Sequence, residues 1–240
     1  FFLPFSGPSQ MKLSIIIPVY NEYTTLEEIL RRVRAVPVEK EIILVDDGSS
    51  DGSEKILEEL EGDRGIKIFR HSRNRGKGAA IITGLQKVEG DVTLIQDADL
   101  EYDPAEYPKL LAPFERDPEV QVVYGSRILR KNARSSLVFY WGGRMLSLIT
   151  NLFYGSSVTD EPTGYKVFRT KLLKQLNLES TGFEFCPEVT AKILLRKIPI
   201  CEIPISYSPR SWAEGKKIRW TDGLKAIWIL LKYRLRGRCN

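Results

Sequence analysis

Val92 to Asp103 reads VTLIQDADLEYD, a short apolar run that ends in acid. Val92 to Ile95 has the composition of a strand buried on both faces. Asp97 and Asp99 follow, one residue apart. In extended chain, residues i and i+2 point the same way, so the two carboxylates can converge on one site. In open α/β sheets, ligands sit beyond the carboxyl ends of the strands. Two hard oxygen ligands there suit Mg²⁺ or Mn²⁺, which favour carboxylate together with substrate phosphate. The plainer alternative is that Asp97 and Asp99 cap a helix starting near Pro104.

Upstream of this stretch, strand-like and helix-like segments alternate. Leu13 to Val19 (LSIIIPV) reads as a buried strand, with Pro18 ending its pairing. Thr24 with Glu27, or Thr25 with Glu28, offers a capping box for a helix to about Ala35. Glu41 to Val45 is a second strand, and Asp51 can cap the helix that follows. Ile66 to Phe69 is a third strand, and the turn NRGKG opens a helix over about Ala79 to Val88. Downstream, Pro104 to Glu115 is helical and Val120 to Tyr124 is a fifth strand. This order predicts βαβ units in an α/β fold, with a mostly parallel sheet flanked by helices.

The second half is less regular. Ser126 to Ser135 is basic and loop-like. Leu137, Trp141, Met145, Leu148 and Leu152 fall at helical spacing. Lys166 to Arg169 and Ile200 to Tyr207 read as strands, Pro187 to Arg196 and Thr221 to Leu235 as helices. The last helix has an apolar stripe of Leu224, Ile227, Trp228, Leu231 and Leu235 beside Lys225, Lys232, Arg236 and Arg238. Phe1 to Gln10, ahead of Met11, read as a tag or disordered tail.

The 240 residues suffice for one large α/β domain. The net charge of +5 is concentrated in the middle and the C-terminal end, which suits a phosphate-bearing ligand or an anionic membrane surface better than a duplex groove. Cys186, Cys201 and Cys239 form no metal-binding spacing, so a reducing compartment without zinc is expected. No apolar run has the length to span a bilayer.

Acidic or anion-reading loops follow several strands. PVYNE follows the first and VDDGSSDG the second, whose acids can grip a base or ribose or can simply be turn formers. NRGKG brings backbone N–H groups and Lys77 to a helix start, which favours anions, although it lacks the P-loop spacing. The switch-point argument lets all of these loops face one crevice.

PVYNE, VDDGSSDG and QDADLEYDP, in that order and spacing, resemble the family 2 glycosyltransferases, with their nucleotide-sugar-binding GT-A fold. The second half is similar to the polyprenyl-phosphate glycosyltransferases, whose best-known members make dolichol-phosphate mannose. Gly125–Arg127 (GSR), DEPTGYKVF, GFEF and SYSPRSWAEGKKI carry that closer likeness. The resemblance implies a transferase domain over 11–210, then a mobile acceptor loop and an amphipathic, membrane-associating helix over 211–240. It implies that Pro18, Tyr20 and Glu22 line the nucleotide site, which Lys77 of the NRGKG turn would join as an anion-binding residue, and that Asp47 contacts the base. Asp97 would lie against nucleotide and metal, Asp99 would bind Mg²⁺ or Mn²⁺ directly, and Glu101 would be a further metal-site residue. Arg127, Arg210 and Lys217 would meet phosphates. PRSWAEGKKI departs from the Arg-x-x-Gly-x-Ser-Lys arrangement of eukaryotic mannosyltransferases and looks more like prokaryotic relatives, which leaves the sugar open.

The implied reaction moves a hexose, mannose from GDP-mannose or glucose from UDP-glucose, onto a polyprenyl (dolichyl) monophosphate with inversion. A phosphate acceptor is already ionised and needs little general base, whereas a sugar hydroxyl needs a positioned carboxylate. The alternatives are transfer to a saccharide hydroxyl in surface polysaccharide synthesis, and a non-catalytic nucleotide-sugar-binding subunit. Glu161 is the one acid near where hydroxyl-directed relatives keep a base; its plainer reading is a solvated loop acid. His71, the only histidine, reads as an ordinary strand-end residue. Trp141, Trp220 and Trp228 beside Arg and Lys suit the headgroup level of a bilayer. The expectation is a peripheral protein on the cytoplasmic face of a membrane, with an anchoring membrane subunit as a possible partner and nucleic acid excluded.

Overall fold

The computed structural model describes residues 11–133, 136–210, 217 and 220–237. Seven strands form one sheet: β1 (Leu13–Val19), β2 (Lys40–Asp46), β3 (Ile66–Arg70), β4 (Val92–Ile95), β5 (Val122–Ser126), β6 (Lys166–Arg169) and β7 (Cys201–Pro204). Their order is β3-β2-β1-β4-β6-β5-β7. The β3-β2-β1-β4 half is parallel, β6 runs antiparallel between β4 and β5, and β7 is parallel to β5. The helices are α1 (Leu26–Ala35), α2 (Ser53–Glu59), α3 (Lys77–Leu85), α4 (Tyr107–Arg116), α5 (Leu137–Tyr154), α6 (Thr170–Gln175), α7 (Phe185–Leu195) and α8 (Trp220–Arg236).

Successive residues of a strand face opposite sides of a sheet. Ile15 and Ile17 of β1 therefore join one apolar cluster with Leu26, Ile29 and Val33 of α1, while Ile16 joins the other with Ala80 and Ile81 of α3. Helices on both faces explain why β1, β2 and β4 read as continuous apolar runs. A third cluster holds α8 to its neighbours through Leu146 of α5, Ala191 of α7 and Ala226, Ile229, Leu230 and Tyr233 of α8.

Several local expectations are corrected. Pro18 does not end pairing: β1 pairs with β2 through Val19↔Asp46. On the other side the ladder to β4 stops at Ile16↔Ile95, and Ile16 O accepts the Gln96 N–H, so Pro18 lacks its N–H where no partner strand needs one. No capping box forms, because Glu28 is held by Arg31 and Arg32 and Thr25 Oγ1 instead donates to Glu22 Oε2 at 3.0 Å. Asp51 caps from one residue further out, accepting the Ser53 N–H at 3.0 Å while Gly52 takes a left-handed φ of 104° at the cap position. The helix after Asp103 opens with a 3₁₀ turn, Pro104–Glu106, and Asp103 caps it by accepting the Ala105 N–H at 3.0 Å. Asp97 and Asp99 are thus relieved of the capping role. α6 and the antiparallel setting of β6 had no signal in the sequence pattern.

Candidate active site

The loops after β1 and β2 are stitched together. Asn21 N–H donates to Ser49 Oγ at 3.0 Å, Glu22 N–H to Ser53 Oγ at 3.0 Å and Tyr23 N–H to Asp51 Oδ2 at 2.9 Å. Asn21, at a left-handed φ of 51°, returns a bond by accepting the Ser50 N–H at 2.9 Å. PVYNE and VDDGSSDG are one structural unit, and Pro18 and Tyr20 lie half-buried along its edge.

Asp47 is buried, and both of its oxygens are occupied. Oδ1 accepts from His71 Nδ1 at 2.6 Å and from the Arg75 N–H at 2.9 Å; Oδ2 accepts the Gly76 N–H at 2.7 Å. Two N–H groups of NRGKG, those of Arg75 and Gly76, expected to wait for a ligand anion, are bound to this internal one. Their turn packs too closely for side chains: a Cβ on Gly76 would lie 2.4 Å from Thr181 O and one on Gly78 2.2 Å from Ser180 O. Buried Glu188 fixes that opposing loop by accepting from the Glu179 and Ser180 N–H groups. The turn places Lys77 at the start of α3, with its Nζ 2.5 Å from Asp97 Oδ1. Burial alone would lower the Lys77 pKa, but the Asp97 charge and hydrogen bond raise it.

In QDADLEYD, Gln96 is a buried anchor whose Oε1 accepts from Tyr107 at 2.8 Å and Tyr165 at 2.7 Å. Leu100 takes a left-handed φ of 61°, uncommon for a side chain of its size, and Glu101 N–H donates back to Asp99 Oδ1 at 3.1 Å. Gly164 in DEPTGYKVF is required by this stretch, since a Cβ there would lie 2.6 Å from Asp97 Oδ2. Burial, then the charges of Asp97 and Glu101, push the Asp99 carboxyl up to about 7 against the pull of Arg210.

The segment from Ser206 to Arg210 crosses this acid. Ser206 Oγ donates to Glu106 Oε1 at 2.8 Å, Tyr207 OH to Glu101 Oε2 at 3.0 Å and Arg210 N–H to Glu101 Oε1 at 2.8 Å. Arg210 Nη2 donates to Asp99 Oδ2 at 2.7 Å, and Nη1 donates to Glu22 Oε2 at 3.0 Å. Lys217 Nζ donates to Tyr20 O and to Glu22 Oε1, the latter at 2.7 Å. Glu22, Asp97, Asp99, Glu101, Lys77, Arg210 and Lys217 are therefore brought together. Lys216 lies outside the described residues.

Arg127 is gathered elsewhere. It makes a fork to buried Asp160, Nε to Oδ2 at 2.8 Å and Nη2 to Oδ1 at 2.7 Å, and stacks 5.0 Å from the Tyr207 ring centroid. Burial would raise the Asp160 pKa, but Arg127 holds it below the usual carboxylate range. Asp160 in turn receives its place from Glu202, which accepts the Thr159 and Asp160 N–H groups at 2.8 and 3.1 Å. Sequence reasoning missed Glu202, a charged residue in an otherwise apolar strand, and that contrast was the available signal.

Glu161 is not a solvated loop acid: it is fully buried and neither oxygen accepts a hydrogen bond. The neighbouring Thr190 hydroxyl spends its proton on Cys186 O at 2.9 Å, and Lys166 Nζ spends two on Glu161 O and Thr163 O. Burial pushes the Glu161 carboxyl up to about 7, with the Lys166 charge opposing.

Among the described residues no group of three or more His, Cys, Asp or Glu side chains is arranged as a metal cage. Both Glu101 oxygens are committed to Tyr207 and Arg210. Asp97 and Asp99 remain as a pair of hard oxygen donors, paired in this structure with Lys77 and Arg210. Two carboxylates, with phosphates completing the sphere, fit Mg²⁺ or Mn²⁺.

Residues 14–176 match the pattern described as glycosyl transferase family 2. The chain is 32% identical to the UDP-N-acetylglucosamine–dolichyl-phosphate N-acetylglucosaminyltransferase of Methanococcus voltae, over 92% of this chain and 95% of that one. It is 29% identical to the dolichol-phosphate mannosyltransferase of Pyrococcus furiosus, over 93% of this chain but 64% of the relative. It is 35% identical to an undecaprenyl-phosphate 4-deoxy-4-formamido-L-arabinose transferase of Pseudomonas fluorescens, spanning 59% of that protein's length. In fold it is similar to the glucosyl-3-phosphoglycerate synthase of Mycobacterium tuberculosis crystallised with Mn²⁺, UDP and phosphoglyceric acid, with a TM-score of 0.71 at 19% identity, over 95% of this chain and 78% of that one. The sheet, the acidic strand ends and the sequence match agree, and the chain belongs to glycosyl transferase family 2.

Proposed function

We propose that this protein transfers a hexose from a nucleotide sugar, GDP-mannose or UDP-glucose, to a polyprenyl monophosphate such as dolichyl phosphate, inverting the anomeric centre. The observation that carries the reading is the meeting of Glu22, Asp97 and Asp99 with Lys77, Arg210 and Lys217 at the carboxyl ends of parallel strands. The names of the relatives support the acceptor class. Pro18, Tyr20, Glu22, Asp47 and Lys77 would form the nucleotide site, with Asp47 acting there through the turn that it holds.

Asp97 and Asp99 would hold Mg²⁺ or Mn²⁺, which when bound neutralises the departing nucleoside diphosphate. An acceptor phosphate oxygen attacks the anomeric carbon, and the bond from that carbon to the nucleoside diphosphate oxygen breaks. The attacking oxygen is already ionised, so no residue has to remove a proton. Arg210 and Lys217, now on carboxylates, would turn to phosphate when substrates bind, and Arg127 would join them on the acceptor side. A hydroxyl acceptor would need Glu161 as base, and Glu161 is closed off from solvent. α5 and α8 turn Trp141, Leu148, Leu152, Trp220 and Trp228 outward, which supports a peripheral position at a membrane, placed in this proposal on the cytoplasmic face. No helix among the described residues is long and apolar enough to cross one.

The test is to incubate the purified protein with Mn²⁺ or Mg²⁺, a polyprenyl monophosphate and each of several radiolabelled nucleotide sugars, then to count label extracted into organic solvent. Label from one donor, lost in Asp99→Asn and kept in Glu161→Gln, is expected. Absence of extractable label with every donor, from protein that still binds nucleotide, would overturn the lipid-phosphate acceptor.

A further inference from the structure

The one histidine of the chain is 5% exposed at its side chain and is bonded at both ring nitrogens. An ionised carboxylate can only accept, so His71 Nδ1 donates to Asp47 Oδ1 at 2.6 Å. In the neutral ring Nε2 then accepts from Thr83 Oγ1, at 2.9 Å, in the middle of α3. His71 also donates its backbone N–H to Asp46 O at 2.8 Å, which fixes where the ring starts. The same Asp47 carboxylate holds the Arg75 and Gly76 N–H groups, one residue before Lys77. Lys77 ends on Asp97 at 2.5 Å. A continuous chain of bonds thus runs from α3 through His71 and Asp47 into the turn and out to the acidic pair.

We propose that His71 is a positioning residue of the donor site: by holding Asp47 between α3 and the 74–77 turn, it sets where Lys77 meets Asp97 and hence how a nucleoside diphosphate is received. The inference rests on the donor-site reading given above. Without the imidazole, Asp47 loses its shortest partner and a fixed orientation. The turn, which has glycines at Gly76 and Gly78 and so little stiffness of its own, loses its template.

Two amide substitutions separate positioning from bulk stability. In His71→Asn the amide nitrogen takes the Nδ1 position and keeps the bond to Asp47; in His71→Gln the longer amide takes the Nε2 position and keeps only Thr83. Binding of UDP and of GDP with Mn²⁺ is measured by calorimetry, and exchange of the Arg75 and Gly76 amides by hydrogen exchange, on variants with matched melting temperatures. His71→Gln is expected to weaken nucleotide binding about tenfold, the size of one lost hydrogen bond to a charged group, and to speed exchange at both amides. His71→Asn is expected to stay near wild type in both. Equal behaviour of the two variants, or affinity that simply follows melting temperature, would overturn the positioning role. Wild-type protein that binds neither nucleotide would instead sink the donor-site reading, while the exchange rates would still report whether His71 holds the turn.

Discussion

Glu161 is the residue whose surroundings conflict most with its charge. Its carboxylate is fully buried, receives no hydrogen bond and has a pKa raised from 4.5 to about 7. Because the folded pKa lies above the unfolded one, the native state binds the proton more tightly. Stability from this group is complete below pH 4.5, falls as pH rises through 4.5 to 7, and is flat above that. A displacement of this size corresponds to something on the order of 3 kcal/mol, at 1.36 kcal/mol per unit. Glu161→Gln cannot ionise, so its urea-unfolding free energy should gain on wild type by about that amount between pH 4.5 and pH 8. Two curves that stay parallel over this range would show that Glu161 ionises without cost. A buried amide has its own unmet donors, so the comparison is between the slopes and not between absolute stabilities.

The Ser206–Arg210 segment is the element that most changes the meaning of the site. Glu101 and Glu106 fasten it, and Arg210 delivers a guanidinium to Asp99 Oδ2, the same carboxylate a divalent cation would use. Two cations cannot share that oxygen without repulsion, so a metal and Arg210 compete for Asp99. Arg210→Gln should therefore bind Mn²⁺ about tenfold more tightly than wild type in the absence of nucleotide, measured as loss of the free Mn²⁺ signal in electron paramagnetic resonance. Unchanged or weaker affinity would mean that Arg210 is no obstacle to the cation. β6 shapes the same region by a different route. Running antiparallel between β4 and β5, it carries the DEPTG loop back to β4, so that Gly164 lies against Asp97 and Tyr102 OH accepts its N–H at 2.7 Å.

Across the molecule, strand positions were legible because two-faced burial leaves unbroken apolar runs, as in Ile15–Ile17 and Ile42–Val45. Which acids share a site was legible from strand ends. Their partners were not: Arg127 with Asp160, Asp47 with His71 and Glu101 with Tyr207 are joined across 24 to 106 positions of chain, and no local pattern encodes such pairs. The apolar stripes of α5 and α8 were legible as helical spacing, but not which way they face: core burial and membrane contact give the same spacing, and Ile227 of the α8 stripe packs against the core. α5 buries Leu146, Ser147 and Thr150 while Leu137, Trp141, Met145, Leu148 and Leu152 stay exposed. α8 buries Ala226, Ile229, Leu230 and Tyr233 while Trp220, Leu224, Trp228 and Leu235 stay exposed. α5 and α8 pack on each other through their buried residues, and α8 carries Lys225, Arg234 and Arg236 along with its exposed Trp220, Leu224, Trp228 and Leu235. An aqueous surface with Leu148 and Leu152 at 68% and 79% exposure wastes their burial free energy, and a headgroup layer recovers it. Lys217, which bonds to Glu22, stands three positions before the start of α8 at Trp220, so α8 begins close in the chain to the acidic site. Leu148→Asp and Trp228→Glu should each reduce sedimentation with vesicles containing anionic lipid by about tenfold or more, the scale of one large apolar side chain kept out of the interface. Nucleotide binding in solution should not move, because neither residue belongs to the crevice. If vesicle binding is unaffected, and the wild-type protein runs as a dimer that Leu148→Asp splits, the face is a contact between copies of this chain and the membrane reading of α5 and α8 fails.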